Sequence, residues 1–290
     1  MGSLLGCRSA GLAMAAGMSV GRSPFLKIVI NRKGDGDGDY ESKGDLRNRG
    51  IIEQRKNLFK VVGNSDHVML AVAYMTWEST KGGGGGKRLY LESLGLSING
   101  MRDMKQLYNQ LDASLSNAGY HFTEESNVNM NSFRIIRSCV VGALAPAQIV
   151  RVQRPGTKYA ATVEGAVEKD GVAQELRFYT RGEIGDRDDS SDKAKQVVKF
   201  YHNIPEERVF IHPSSANFSV GSYSCPWLVF HELVRTSKAF LRDATECSTY
   251  DILLFGGKID VQASDGVIQI DNYVHLSANA RIGELRCSSK

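Results

Sequence analysis

The chain has 290 residues, 42% of them hydrophobic and 23% charged, which is enough for two modest domains and excludes low-hydrophobicity disorder for its bulk. A formal charge of +4 is compatible with a nucleic-acid partner, but many proteins without one are as basic. Five cysteines with no CxxC pair signal neither a disulfide framework nor a zinc site, fit a reducing compartment, and accompany no run of ~18 apolar residues that would span a membrane.

Residues 1–34 contain Arg8, Arg22, Lys27, Arg32 and Lys33 but no acid, the composition of a mitochondrial transit peptide. The same stretch holds Ala10–Phe25, rich in Ala and Met, which reads as a short packed helix stopped by Pro24. Gly34–Asp39 (GDGDGD) reads as loop, too short for a calcium loop and without its closing Glu. Helical spacing returns at Asp66–Glu78, where Met69, Leu70, Ala73, Tyr74 and Trp77 share a face and Asn64 or Ser65 can cap the start. The tract KGGGGGKR that follows imitates a phosphate loop, but Lys81 stands where Walker A needs Gly and Arg88 where it needs Ser or Thr. It is expected to be a flexible linker.

The clearest helix is Met101–Ala118, with Met101, Met104, Leu107, Tyr108, Leu111, Leu115 and Ala118 on one stripe, Asn99 available to cap it and Gly119 to close it. The stripe reads as core. A last helix, Ser132–Leu144, ends at Pro146. From Ala147 the period becomes strand-like. Short β-rich runs are expected at 149–153, 159–163, 176–180, 209–212, 227–234, 250–255, 258–261 and 267–270, as in a small sandwich or barrel. The chain therefore divides near Pro146 into a helical part and a β part.

Enzyme signatures are absent from the sequence. His231–Glu232 begins like a zincin, but HExxH would need His where Arg235 stands, no GxSxG elbow occurs, and the six histidines are scattered. The β part offers a binding surface instead. Val209–Asn217 (VFIHPSSAN) ends a strand in a polar turn whose hydroxyl, amide and backbone donors suit phosphate and sugar oxygens. Arg235, Thr236 and Lys238 end another strand and add charge and a hydroxyl. Taken alone, each segment is equally an ordinary solvated strand end.

The combination is more specific. IIRSCVVGALAPAQIVRV (135–152), VFIHPSSANF (209–218), WLVFHELVRTSKAFLRDATECS (227–248), LLFGGKIDV (253–261) and DNYVHLSANARIGELR (271–286) resemble, in the family's order, the C-terminal region of DExH (DEAH/RHA) RNA helicases. Residues 11–25, 65–78 and 91–111 resemble the same family's ratchet-like helicase-associated region, so the acid-poor N-terminus needs no targeting explanation. The resemblance implies an α+β fold, with a helicase-associated helical bundle at 1–146 followed by an OB-fold β-barrel at 147–290. Flexible inserts are then expected near 31–50 and 79–88 and a charged insert near 181–203.

The resemblance also implies an RNA-binding accessory region that holds single-stranded or structured RNA through His212, Ser214, Ser215, Asn217, Arg235, Thr236 and Lys238. Its other expected partner is the RecA-like helicase core, in the same or a split polypeptide. No Walker A, DExH box, Ser-Ala-Thr or QRxGR motif occurs here. ATP and Mg²⁺ are accordingly expected in the motor of a parent helicase, and no cofactor in this chain. No membrane partner is implied; the expected compartment is intracellular, cytoplasmic or nuclear, with a mitochondrial one left open. The rival reading is a protein-interaction module without RNA binding of its own.

Overall fold

The structure, a computed structural model, describes residues 1–28, 43–155, 159–162, 165–168, 171–181, 206–262 and 266–277. The GDGDGD stretch and nearly all of the charged insert lie outside them. Six helices come first: α1 (Arg8–Ser19), α2 (Lys43–Val61), α3 (Asp66–Ser79), α4 (Gly83–Leu94), α5 (Ile98–Asn117) and α6 (Phe133–Leu144). Strands β1 to β10 and one further helix, α7 (Thr249–Phe255), follow. The chain forms two compact units, Met1–Cys139 and Val140–Lys290, so the division falls inside α6, ahead of Pro146.

In the helical unit, small residues let helices approach closely. Ala10, Ala13 and Ala16 of α1 are completely buried, and a Cβ added to Gly17 would lie 2.6 Å from Leu70 of α3 and 3.3 Å from Met104 of α5. Ser65 caps α3 by accepting from the Val68 N–H at 3.1 Å. Ser97 caps α5, taking the Gly100 N–H at 3.3 Å, because the helix starts at Ile98 and places Asn99 inside its first turn. Of the α5 stripe only Met101 and Met104 are fully buried; Leu107 to Leu115 are half-buried and Ala118 is exposed. Arg8, one of the basic residues of the acid-poor N-terminus, is 1% exposed and donates to Asp112 and to the Tyr120 carbonyl, both at 2.6 Å. It anchors α1 to the end of α5.

The glycine tract is not a linker. Gly82 and Gly83 have positive φ, a Cβ on Gly86 would collide with the Lys81 carbonyl oxygen, and α4 starts on them. The glycines supply a left-handed, close-packed start that other residues would strain. Once started, α4 runs through good helix formers, carries an Arg88–Glu92 pair at i, i+4 and stops at left-handed Gly95. Helix α2 likewise begins at Lys43, within the segment expected as a flexible insert. Arg55 of α2 donates to the carbonyls of Leu94, Gly95 and Leu26 at 2.8–3.0 Å, and burial lowers its pKa to about 10.

In the second unit, β1 (Ile149–Gln153), β4 (Arg177–Arg181), β5 (Glu206–Ile211), β7 (Ala239–Glu246) and β6 (Trp227–Arg235) close a five-stranded barrel in that order. All neighbours are antiparallel except β5 and β7. Alternate residues fill it: Val150 and Val152, Phe178, Val209 and Ile211, Leu228 and Phe230, and Leu241 form one buried core. β2 (Tyr159–Thr162) and β3 (Gly165–Glu168) pair between β1 and β4. After α7 comes a three-stranded sheet of β8 (Ile259–Gln262), β9 (Val267–Ile270) and β10 (Val274–Ser277).

Residues 250–255, expected as strand, form α7. Ser248 and Asp251 build a reciprocal capping box there, which sets a helical start that the apolar run by itself does not disclose. Conversely, β7 is a strand that its own sequence does not announce. AFLRDATE has weak β-propensity, and its extended state comes from pairing along β6 and with β5.

Candidate nucleic-acid interface

The two segments singled out in the sequence meet because β5 and β7 pair in parallel, with Phe210 opposite Phe240. Period-2 alternation sends Val209 and Ile211 inward, and leaves Arg208, Phe210 and His212 on the outer surface. On β7 the same alternation buries Ala239 and Leu241 and leaves Phe240 and Arg242 outside.

The result is an aromatic strip under cations. The Phe210 and Phe240 rings lie 6.1 Å apart, and His212 meets Phe240 edge-on at 5.9 Å. Lys238 Nζ stands 4.7 Å from the Phe210 centroid and the Arg208 guanidinium 5.1 Å. Arg208 and Lys238 are exposed and have no ion-pair partner among the described residues.

His212 is held in one tautomer. The Ser214 backbone N–H donates to Nδ1 at 3.1 Å and the Ser214 hydroxyl lies 2.6 Å from the same nitrogen, so Nδ1 is the acceptor and Nε2 carries the proton. Burial and the nearby Arg242 charge lower its pKa, against a smaller raising effect of Glu232. Both lowering effects favour the neutral ring, with Nε2–H as its donor.

Not every expected contact residue faces outward. Ser215 is 6% and Asn217 1% exposed. The Ser215 hydroxyl accepts the Asn217 N–H at 3.1 Å. Asn217 donates to the Ala244 carbonyl at 2.9 Å and accepts from the buried Tyr223 hydroxyl at 3.1 Å. Asn217 pins the 212–219 loop to β7 and Ser215 braces the loop from within; the expectation that they contact RNA is corrected, because their polar atoms are spent inside the protein. Thr236 shapes the β6–β7 hairpin, its N–H donating to the Lys238 carbonyl at 2.9 Å. Arg235 pairs with Glu207. His212, Ser214 and Lys238 thus remain as presenting residues.

Elsewhere on the barrel, Tyr273, between β9 and β10, packs on β4 and β6. Tyr273 packs edge-on to Trp227 at 5.8 Å and donates to the Tyr179 carbonyl at 3.1 Å. Arg151 lies over Tyr179 but is held by both Glu206 oxygens, and Arg181 lies over Tyr273 but is held by Asp271. Two cation–aromatic pairs are therefore neutralised, and the open one is at Phe210.

Comparison with known proteins agrees with this architecture. A family described as oligonucleotide/oligosaccharide-binding (OB) fold matches residues 170–259, which include four of the five barrel strands. Across 98% of its length the chain is 28% identical to DExH-box ATP-dependent RNA helicase DExH1 of Arabidopsis thaliana. It is also 28% identical to the candidate ATP-dependent RNA helicase YLR419W of Saccharomyces cerevisiae and 25% identical to the ATP-dependent DNA/RNA helicase DHX36 of Bos taurus, again over 98% of its length. Over nearly all of its length the chain is thus similar to part of several DExH-type helicases. It spans 21%, 23% and 24% of the yeast, Arabidopsis and bovine proteins. The α+β organisation and the OB barrel follow, and no helix among the described residues is long and apolar enough to cross a membrane.

Three residues of the strip escaped the sequence reading: Arg208, Phe210 and Phe240. On β5 the signal was the alternation of cationic and aromatic residues at 208, 210 and 212, which becomes meaningful only when β7 is known to be its neighbour.

Proposed function

We propose that the barrel unit binds single-stranded RNA along the β5–β7 outer face, and that in a parent helicase this grip holds the strand while RecA-like domains hydrolyse ATP and step. The supporting observation is the half-buried Phe210–Phe240 strip on the outer face beneath Arg208 and Lys238. Aromatic faces stack on bases with little regard to sequence, and unpaired cations attract the backbone. His212 Nε2–H adds a donor for phosphate or sugar oxygens, while the Ser214 hydroxyl, whose proton is directed at Nδ1, offers its oxygen as an acceptor for a sugar hydroxyl. The relatives' names as ATP-dependent RNA helicases point to the same ligand.

The test is fluorescence anisotropy with a labelled single-stranded RNA. The wild-type chain should bind with a salt-dependent affinity, and Phe210→Ala with Phe240→Ala should weaken binding by about 10- to 100-fold, in line with ~1–3 kcal/mol per stacked base. Equal affinity of the double variant would reject this face, and no salt-dependent binding at micromolar protein would favour the protein-interaction reading.

A further inference from the structure

The helical unit carries a second site of different chemistry. An open cavity of about 1150 Å³ lies among the extended residues 26–28, α2, α4 and the start of α5. That volume exceeds the roughly 300–1,000 Å³ of a small-molecule pocket. Its apolar wall is aliphatic, made by Leu26, Ile51, Leu91, Leu96 and Ile98, and Leu26 and Ile98 are 51% and 40% exposed. Among the described residues Trp77 is the one aromatic lining it, 5% exposed, with Lys87 Nζ 4.9 Å from its ring.

The rim is cationic. Arg47 and Arg88 share Glu92, and Lys87 and Lys105 share Glu78. Lys27 and Arg102, both exposed, line the cavity with no ion-pair partner among the described residues. Among the described residues, four cations thus divide two carboxylates, and two more pair with none.

We infer that this cavity is a docking groove for an acidic amphipathic segment of a protein partner. Apolar side chains at i, i+3, i+4 and i+7 of such a segment fit a greasy groove, and its carboxylates meet the cationic rim. RNA is the poorer occupant, because bases need open rings to stack on and the one indole here is covered. The inference stands apart from the RNA reading, which concerns the barrel unit.

The probe is a fluorescein-labelled helix-forming peptide of about 18 residues, with Leu on one face and Glu on the other, titrated into the full chain. Lys27→Glu with Arg102→Glu should weaken binding about tenfold or more. So should Gly84→Leu, which narrows the groove at a lining position where an added Cβ meets nothing within 4 Å. A control peptide with Ser for Leu should bind about tenfold more weakly than the probe, and a single-stranded oligo-U RNA should not displace the probe. Circular dichroism melts verify that each variant is folded, and the two substitutions act at separate places so that either can carry the test. The inference is overturned if the wild-type chain ignores the probe, if the folded variants bind it equally, if the Ser peptide binds as well, or if RNA displaces it.

Discussion

The helical unit and the barrel use cations in opposite ways. In the helical unit Arg8 and Arg55 are internal ties, Arg8 donating to the Asp112 carboxylate and the Tyr120 carbonyl and Arg55 to three backbone carbonyls, while other cations line a cavity whose apolar wall is aliphatic. In the barrel, Arg151 and Arg181 are neutralised over aromatic rings, while Arg208 and Lys238 sit over Phe210 with no ion-pair partner among the described residues. Charge by itself says little about ligand; what the charge stands next to selects between a base, which needs a ring face, and an apolar peptide side chain, which needs a greasy wall.

The largest expected effect tests the internal role of the helical cations. Arg8→Met removes a buried guanidinium whose charge-assisted hydrogen bonds to Asp112 and the Tyr120 carbonyl tie α1 to α5, and should lower stability by about 3 kcal/mol in urea denaturation. RNA affinity of the folded protein should be unchanged. Asn217→Ala comes next. Deprived of Asn217, the Ala244 carbonyl and the Tyr223 hydroxyl lose buried partners, so stability should fall by about 2 kcal/mol. If Asn217 were instead an RNA contact, affinity would fall without that loss, and the assignment of Asn217 to the loop's interior would fail.

Smaller effects sharpen the contrast between the faces. Replacing Arg208 and Lys238 by Gln should flatten the log–log salt dependence of RNA binding by roughly 0.7 for each phosphate that is no longer neutralised, whereas Lys27→Glu with Arg102→Glu should leave the slope unchanged. The smallest concerns His212. Its pKa is lowered, chiefly by burial, so protonation lags behind that of a free imidazole with its pKa of about 6.5. Between pH about 7.5 and 6.5 the affinity ratio of wild type to His212→Gln should stay constant. A ratio that rises as pH falls through 6.5 would show a charged imidazole meeting phosphate.

Much of this was legible from residue order. Helices α1, α3, α5 and α6 announce themselves by apolar spacing, and the strands that build most of the barrel by alternation. Helices α2 and α4 do not. The first has few apolar residues for its length, and the second begins on glycines, whose low propensity hides that left-handed φ and close approach to Lys81 require them. At the candidate site the sequence located the right turn and the right hairpin but could not say which polar side chains point outward. Ser214 and Ser215 are adjacent, yet one is exposed and the other buried.

By itself the sequence determined the α-then-β order, the family likeness and the two segments that form the candidate interface, because these depend on local period and motif spacing. Only the tertiary structure decided that Asn217 is spent on Ala244 and Tyr223, that Phe210 and Phe240 lie side by side, and that aliphatic residues from four separate segments make a cationic-rimmed groove. Those outcomes rest on strand register and helix packing, which bring together residues far apart in the chain and leave no trace in the spacing of any one segment.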